Sequence, residues 1–172
     1  MPDGIVGWTL IGGGILIGSV IGYTMAVRVE MTGMPEMVAL FNGFGGAASA
    51  LVALSETWKW IETSAPSEGL ATTVAVVAAG LSALVGWMTL TGSILAMYKL
   101  KGGIEVFGKW IRTPTWGPTW LNPVKGILII TVLVLIYLSI EQPTNTDYIW
   151  AIIGISSVLG ICLLYTSDAA DE

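Results

Sequence analysis

An asparagine inside an apolar run is the first residue of this chain whose chemistry demands an account. Asn42 lies in "LFNGFGGAASALVAL", Leu40 to Leu54, among three glycines and no charged side chain. Glycine-rich segments cradle phosphates when a strand precedes them and a helix follows, because glycine lets backbone N–H groups approach the anion. Here neither GxGxxG nor GxxxxGK followed by Ser or Thr is present, no strand pattern precedes the run, and no basic residue lies within it. The phosphate reading fails, and the alternative is a helix face thinned for close packing. An amide carries two N–H donors and a carbonyl acceptor, and leaving them unpaired in hydrocarbon costs several kcal/mol. Asn42 must meet a partner or water.

Helical spacing places Asn42, Gly46, Ser49 and Ala53 on one small or polar stripe, at i, i+4, i+7 and i+11. Ser82, Gly86, Thr89, Ser93 and Ala96 repeat the device farther along the chain. Two such stripes, facing each other, would line a hydrated seam. The competing account is that each hydroxyl bonds the carbonyl one turn back and does nothing more. Glu36 follows Pro35, where an acid favours a helix N-terminus, and it is also a candidate access-side proton group. Gly14, Gly18 and Gly22 recur every four residues, the pattern that lets a second helix backbone approach closely. Cys162 is the lone cysteine and histidine is absent, so no disulfide framework and no metal ligand set is assigned.

The elements that must hold these residues are membrane helices. The chain is 54% hydrophobic and 11% charged, against roughly 25% charged in a soluble domain. Ile5 to Val27 and Leu70 to Tyr98 contain no charge, and each exceeds the ~20 residues that cross the hydrocarbon core. No basic region precedes the first run, so it reads as a retained helix rather than a signal peptide. Barrel strands would be shorter and alternating. The fold class is all-α, a polytopic bundle of about five transmembrane helices with no soluble domain. The helices are predicted at Gly4 to Val27, Pro35 to Leu54, Gly69 to Tyr98, Val124 to Ile140, and Tyr148 to Ile161 or Tyr165.

Lys99, Lys101, Lys109, Arg112 and Lys125 face one acid, Glu105, between the third and fourth helices, which marks that segment as cytoplasmic. Alternation then puts Arg28 inside and the acidic Ser55 to Glu68 and Glu141 to Asp147 connections outside. Trp58, Trp60, Trp110, Trp116, Trp120 and Trp150 flank the helices and read as interfacial anchors. The "RTPTWGPTWLNP" stretch reads as an ordered turn region without chemistry.

Around "VRVEMTGMPEMVALFNGFGG" and "TLTGSILAMYKLKG" the chain resembles the membrane region of the beta subunit of proton-translocating NAD(P) transhydrogenase. The resemblance covers Val6 to Leu100 and weakens through the tryptophan-rich segment. It implies part of an enzyme that exchanges hydride between NAD(H) and NADP(H) in soluble domains and couples this to proton passage through membrane helices. In that family a histidine, or in some members an asparagine, stands at the position matching Asn42 and is tied to proton translocation. Ser93 matches a channel-facing serine and Gly86 a close-packed glycine. The implied proton path thus comprises Asn42 and Ser93, with Glu36, Ser49 and Thr89 as further members; Gly14, Gly18, Gly22, Gly46 and Gly86 pack helices. An amide cannot titrate near pH 7 as imidazole does, so Asn42 would hold or orient water rather than carry the proton.

The resemblance also implies a bacterial inner membrane, and as partners the lipid bilayer, further beta-subunit helices, an NADP-binding domain, the alpha subunit and a dimer of the complete enzyme. No nucleic acid is implied. NAD(H) and NADP(H) belong to the complete enzyme, and neither a catalytic residue nor a cofactor site is assigned to this stretch. "CLLYTSDAADE", Cys162 to Glu172, resembles the translation of a sequencing adapter, and without it nine of the twelve acids remain against seven bases. "MPDGIVGW" resembles a loop between family helices. Two readings from other classes compete: a small secondary transporter or channel with Asn42 and Ser93 on its path, and a structural subunit whose glycines only pack helices.

Overall fold

Residues 4–63, 70–101, 104–106, 109–111 and 121–167 are described in a computed structural model of the chain. Among them, five helices are long and apolar enough to cross a membrane. They are α1 (Gly4–Arg28), α2 (Met34–Thr63), α3 (Leu70–Leu100), α4 (Leu121–Glu141) and α5 (Thr146–Ser167). The expected all-helical membrane architecture is thus present. A hairpin is added between α3 and α4: β1 (Ile104–Val106) pairs antiparallel with β2 (Lys109–Ile111), with Glu105 opposite Trp110. The β-branched and aromatic residues among them favour extended backbone, a feature the sequence pattern of this basic segment does not predict. Residues 112–120, with Trp116 and Trp120, and residues 64–69 and 168–172 lie outside the described residues.

Local chemistry explains where the helices begin and end. A single 3-10 turn at Met31–Gly33 separates α1 from α2, and Pro35 falls in the first turn of α2, where its missing N–H is not needed. Gln142 to Asn145 form a turn closed by Asn145 N–H to Gln142 O at 3.1 Å, with Pro143 at its second position. Asn145 then caps α5, its Oδ1 accepting from the Asp147 N–H at 3.0 Å.

The second helix runs well past the predicted end at Leu54, to Thr63. Hydrophobicity stops at Leu54 but helix formation does not: Lys59 pairs with Glu56, and the Trp58 Nε1–H donates to Glu62 Oε1 at 3.0 Å, both at helical spacing. Thirty residues rise about 45 Å, so α2 outruns a hydrocarbon core of about 30 Å. Trp58 lies exposed in the overhang, and Trp60 packs against the core.

Helix α3 is the centre of the bundle, with α2 on one side and α4 and α5 on the other. The α2 side is built from small residues, Ala50, Ala53, Ala79 and Ala83, all buried. The other side is built from larger ones: Leu84, Val132, Ile136, Ile149, Ile152 and Leu159. No described side chain of α1 is buried, and an ideal Cβ at Gly14, Gly18 or Gly22 meets nothing within 4 Å. The glycine face of α1 is therefore open: the described residues bring no second backbone onto it.

Candidate functional site

The site forms where α2 and α3 cross in opposite directions. Gly43, Gly46, Ala50, Ala53 and Thr57 make the stripe of α2 that faces α3. A Cβ on Gly46 would lie 2.8 Å from the Gly86 carbonyl oxygen and 2.8 Å from Thr89 Cβ. One on Gly86 would lie 2.5 Å from the Gly46 oxygen and 2.9 Å from the Ala50 nitrogen. The two backbones touch, as a small-residue crossing in lipid requires when dispersion must replace the hydrophobic effect. Glycine inside a helix costs ~1 kcal/mol against alanine, and this contact offsets the cost.

The crossing decides the environment of Asn42. Its Nδ2–H donates to Ser93 Oγ at 3.2 Å, between residues 51 positions apart. Ser93 is 8% exposed. Thr24, Ser55, Thr57, Thr91, Thr131, Ser139 and Ser157 all return their hydroxyls to carbonyls of their own helix, as the simpler account of membrane hydroxyls expects. Ser93 instead accepts from a neighbouring helix. Its proton, the second amide hydrogen of Asn42 and the Asn42 carbonyl remain available to an open groove of about 360 Å³ lined by Asn42, Thr89, Gly92, Ser93, Gly160 and Leu163, among others.

The remaining candidates are distributed around this pair. Thr89 lines the cavity and turns its Cβ and methyl group toward Gly46. Glu36 does not enter the cavity; its Oε2 lies 3.5 Å from Lys101 Nζ at the end of α3, and Lys101 is half exposed. Glu36 lies six positions before Asn42, about 9 Å of helix rise. Ser49 is exposed, as Asn42 is, and lies off the seam, because the α2 stripe that faces α3 is centred on Gly43 and Ala50 rather than on Asn42 and Ser49. The predicted stripe was rotated by part of a turn, and Asn42 sits at its edge. That edge position is what lets the amide reach both Ser93 and the cavity.

Four closely packed glycines escaped the sequence reading, among them Gly80, where a Cβ would lie 2.7 Å from Ile136 Cγ1. Gly43 packs against Ser93, where a Cβ would lie 3.0 Å from the Ser93 Cβ. Gly92 and Gly160 form a second crossing, between α3 and α5: a Cβ on Gly160 would strike Thr91 Oγ1 and lie 2.5 Å from the Met88 oxygen. This crossing uses one glycine of each helix, which leaves no four-residue period to detect. The whole "NGFGG" stretch is helix interior, so its N–H groups point along the helix to carbonyls and do not fit a dinucleotide phosphate. Among the described residues no three His, Cys, Asp or Glu side chains converge as metal ligands. What the site offers is a neutral amide and a hydroxyl, hydrogen-bonded to each other at the wall of that groove.

A profile of the NAD(P) transhydrogenase beta subunit family matches residues 3–172. The chain belongs to that family. Similar relatives are the NAD(P) transhydrogenase subunit beta of Rhodospirillum rubrum and the same subunit from its ATCC 11170 strain, each 35% identical over 100 residues. The match covers 58% of this chain and 21% of each relative. The chain thus spans about a fifth of the length of the curated relatives it matches. Membership in this family and five apolar helices make this a membrane protein.

Proposed function

We propose that this chain is part of the transmembrane domain through which a transhydrogenase moves protons, coupled to hydride exchange between NAD(H) and NADP(H). The carrying observation is the Asn42 to Ser93 hydrogen bond at the wall of a cavity between α2, α3 and α5. Water in that cavity is held by the Asn42 carbonyl and second amide hydrogen and by the Ser93 hydroxyl. Neither group titrates near neutral pH, so the proton travels on water and the pair orients it. Glu36, ion-paired with Lys101, sits at the cytoplasmic mouth and Thr89 along the wall. The nucleotides bind in domains outside this chain, and further beta-subunit helices, the alpha subunit and a second copy complete the enzyme in a bacterial inner membrane. Family membership and the basic residues at the Glu36 end support this reading.

The test is Asn42→Leu in the full-length subunit assembled with its partners and reconstituted in vesicles. Coupled proton uptake is expected to be lost, and Ser93→Ala is expected to reduce it. Proton pumping at the wild-type rate in Asn42→Leu would sink the proposal.

A further inference from the structure

The core between α3, α4 and α5 contains a polar side chain that packing does not explain. Ser156 is 0% exposed and its Oγ has no hydrogen-bond partner. Its neighbour Ser157 behaves as membrane serines usually do, donating to Ile153 O at 2.8 Å. Buried hydroxyls are nearly always satisfied by protein or ordered water, so the unpartnered Ser156 Oγ stands out in the bundle interior.

Its position on α5 gives the orphan a context. One turn toward the cytoplasmic end of α5, Gly160 lines the cavity that holds Asn42 and Ser93. One turn the other way, Ile152 lines a second cavity of about 20 Å³, shared with Thr57, Ser139 and Asn145. That is room for one water molecule. The hydroxyls of Thr57 and Ser139 donate to Ala53 O at 2.9 Å and Leu135 O at 2.8 Å, which leaves their lone pairs to accept. The Asn145 amide gives one hydrogen to Gln142 Oε1 and has a second for the water oxygen, so the guest has the two to four polar partners it needs. Four residues of helix rise about 6 Å. Ile152, Ser156 and Gly160 therefore form a single line along α5, with the small cavity that includes Thr57, Ser139 and Asn145 at one end, the open groove that includes Asn42 and Ser93 at the other, and an unpaired hydroxyl midway.

We propose that the Ser156 hydroxyl is the midplane relay of a water chain joining the Asn42 and Ser93 cavity to a water in the outer cavity. The proton route then leaves the α2 and α3 seam and crosses the bilayer along α5. In each passage Ser156 Oγ accepts a proton from water on one side while its own O–H bond breaks toward water on the other, so the hydroxyl ends neutral and unchanged. This rests on the proton-path reading given above.

The experiment measures protons moved per hydride transferred by the full-length subunit, assembled with its partners in vesicles, together with the thermal inactivation midpoint. Ser156→Ala is expected to lower the ratio at least tenfold without lowering the midpoint, since it removes an unpaired buried hydroxyl. A packing role would move the midpoint down with the ratio. Ser156→Thr keeps a hydroxyl and is expected to recover part of the ratio, and Ser157→Ala, which loses only a bond to its own helix, is expected to change nothing. A wild-type ratio in Ser156→Ala overturns the relay. If Asn42→Leu in the same vesicles blocks pumping, the proton-path reading stands without it; if neither variant has an effect, both fall.

Discussion

Replacing Gly86 by alanine tests the link between helix packing and the functional pair. The new Cβ would lie 2.5 Å from the Gly46 oxygen, where ordinary contact begins at 3.4 Å, so α2 and α3 must separate by about 0.9 Å at the crossing. Neither atom can step aside, because the Gly46 carbonyl and the Ala50 nitrogen, 2.9 Å away, are both backbone of α2. Carried one turn along α2 and two along α3, that separation stretches the Asn42 to Ser93 bond from 3.2 Å to about 4 Å, beyond hydrogen-bond reach. Overpacking costs ~1–3 kcal/mol and the lost interhelical bond ~0.6–1.7 kcal/mol. Alanine returns up to ~1 kcal/mol of helix propensity, so the net destabilisation is roughly 0.6–4 kcal/mol. The assay is the thermal inactivation midpoint in detergent alongside proton pumping in vesicles, with Gly45→Ala as control, since a Cβ at Gly45 meets nothing within 4 Å. Both readouts are expected to fall for Gly86→Ala and to hold for Gly45→Ala. A Gly86→Ala protein with wild-type midpoint and pumping, or equal damage from Gly45→Ala, would refute the reasoning.

Two further outcomes follow from the same geometry. Gly160→Ala is expected to lower the midpoint by pushing α5 off α3, since its Cβ would lie 2.5 Å from the Met88 oxygen; Gly154→Ala, at an open position, is expected to be silent. Lys101→Ala removes the 3.5 Å pairing with Glu36, but Lys101 is half exposed and water screens the charge, so the stability loss should stay below ~1 kcal/mol. That loss should shrink further at high salt, which a comparison of midpoints at low and high ionic strength would check.

Desolvation made the helices legible. Leaving backbone N–H and C=O groups unpaired in hydrocarbon is so costly that Ile5 to Val27 and Leu70 to Tyr98 have no alternative to helix. The same cost singled out Asn42 as a residue needing a partner, and glycine and serine spacing on α3 located Gly86 and Ser93. The extension of α2 to Thr63 was not legible from hydropathy, because Lys59, Glu56, Trp58 and Glu62 support helix by side-chain pairing rather than by apolarity. The three-residue strands at 104–106 and 109–111 were too short to leave a pattern.

The amino-acid sequence by itself determined that the chain crosses a membrane as helices, that one amide lies within an apolar run and needs a partner, and that its family is the transhydrogenase beta subunit. Only the tertiary structure decided which side of each helix is inside. Periodicity defines a stripe to within part of a turn, and several stripes on α2 are equally small. The choice between them was made by the other helix: Gly43, Gly46 and Ala50 admit α3 to backbone contact, Ser49 is left outside, and Asn42 at the edge reaches Ser93. Ser156, one of two adjacent serines in sequence and without a hydrogen-bond partner in space, acquires its meaning only from the cavities one turn above and below it.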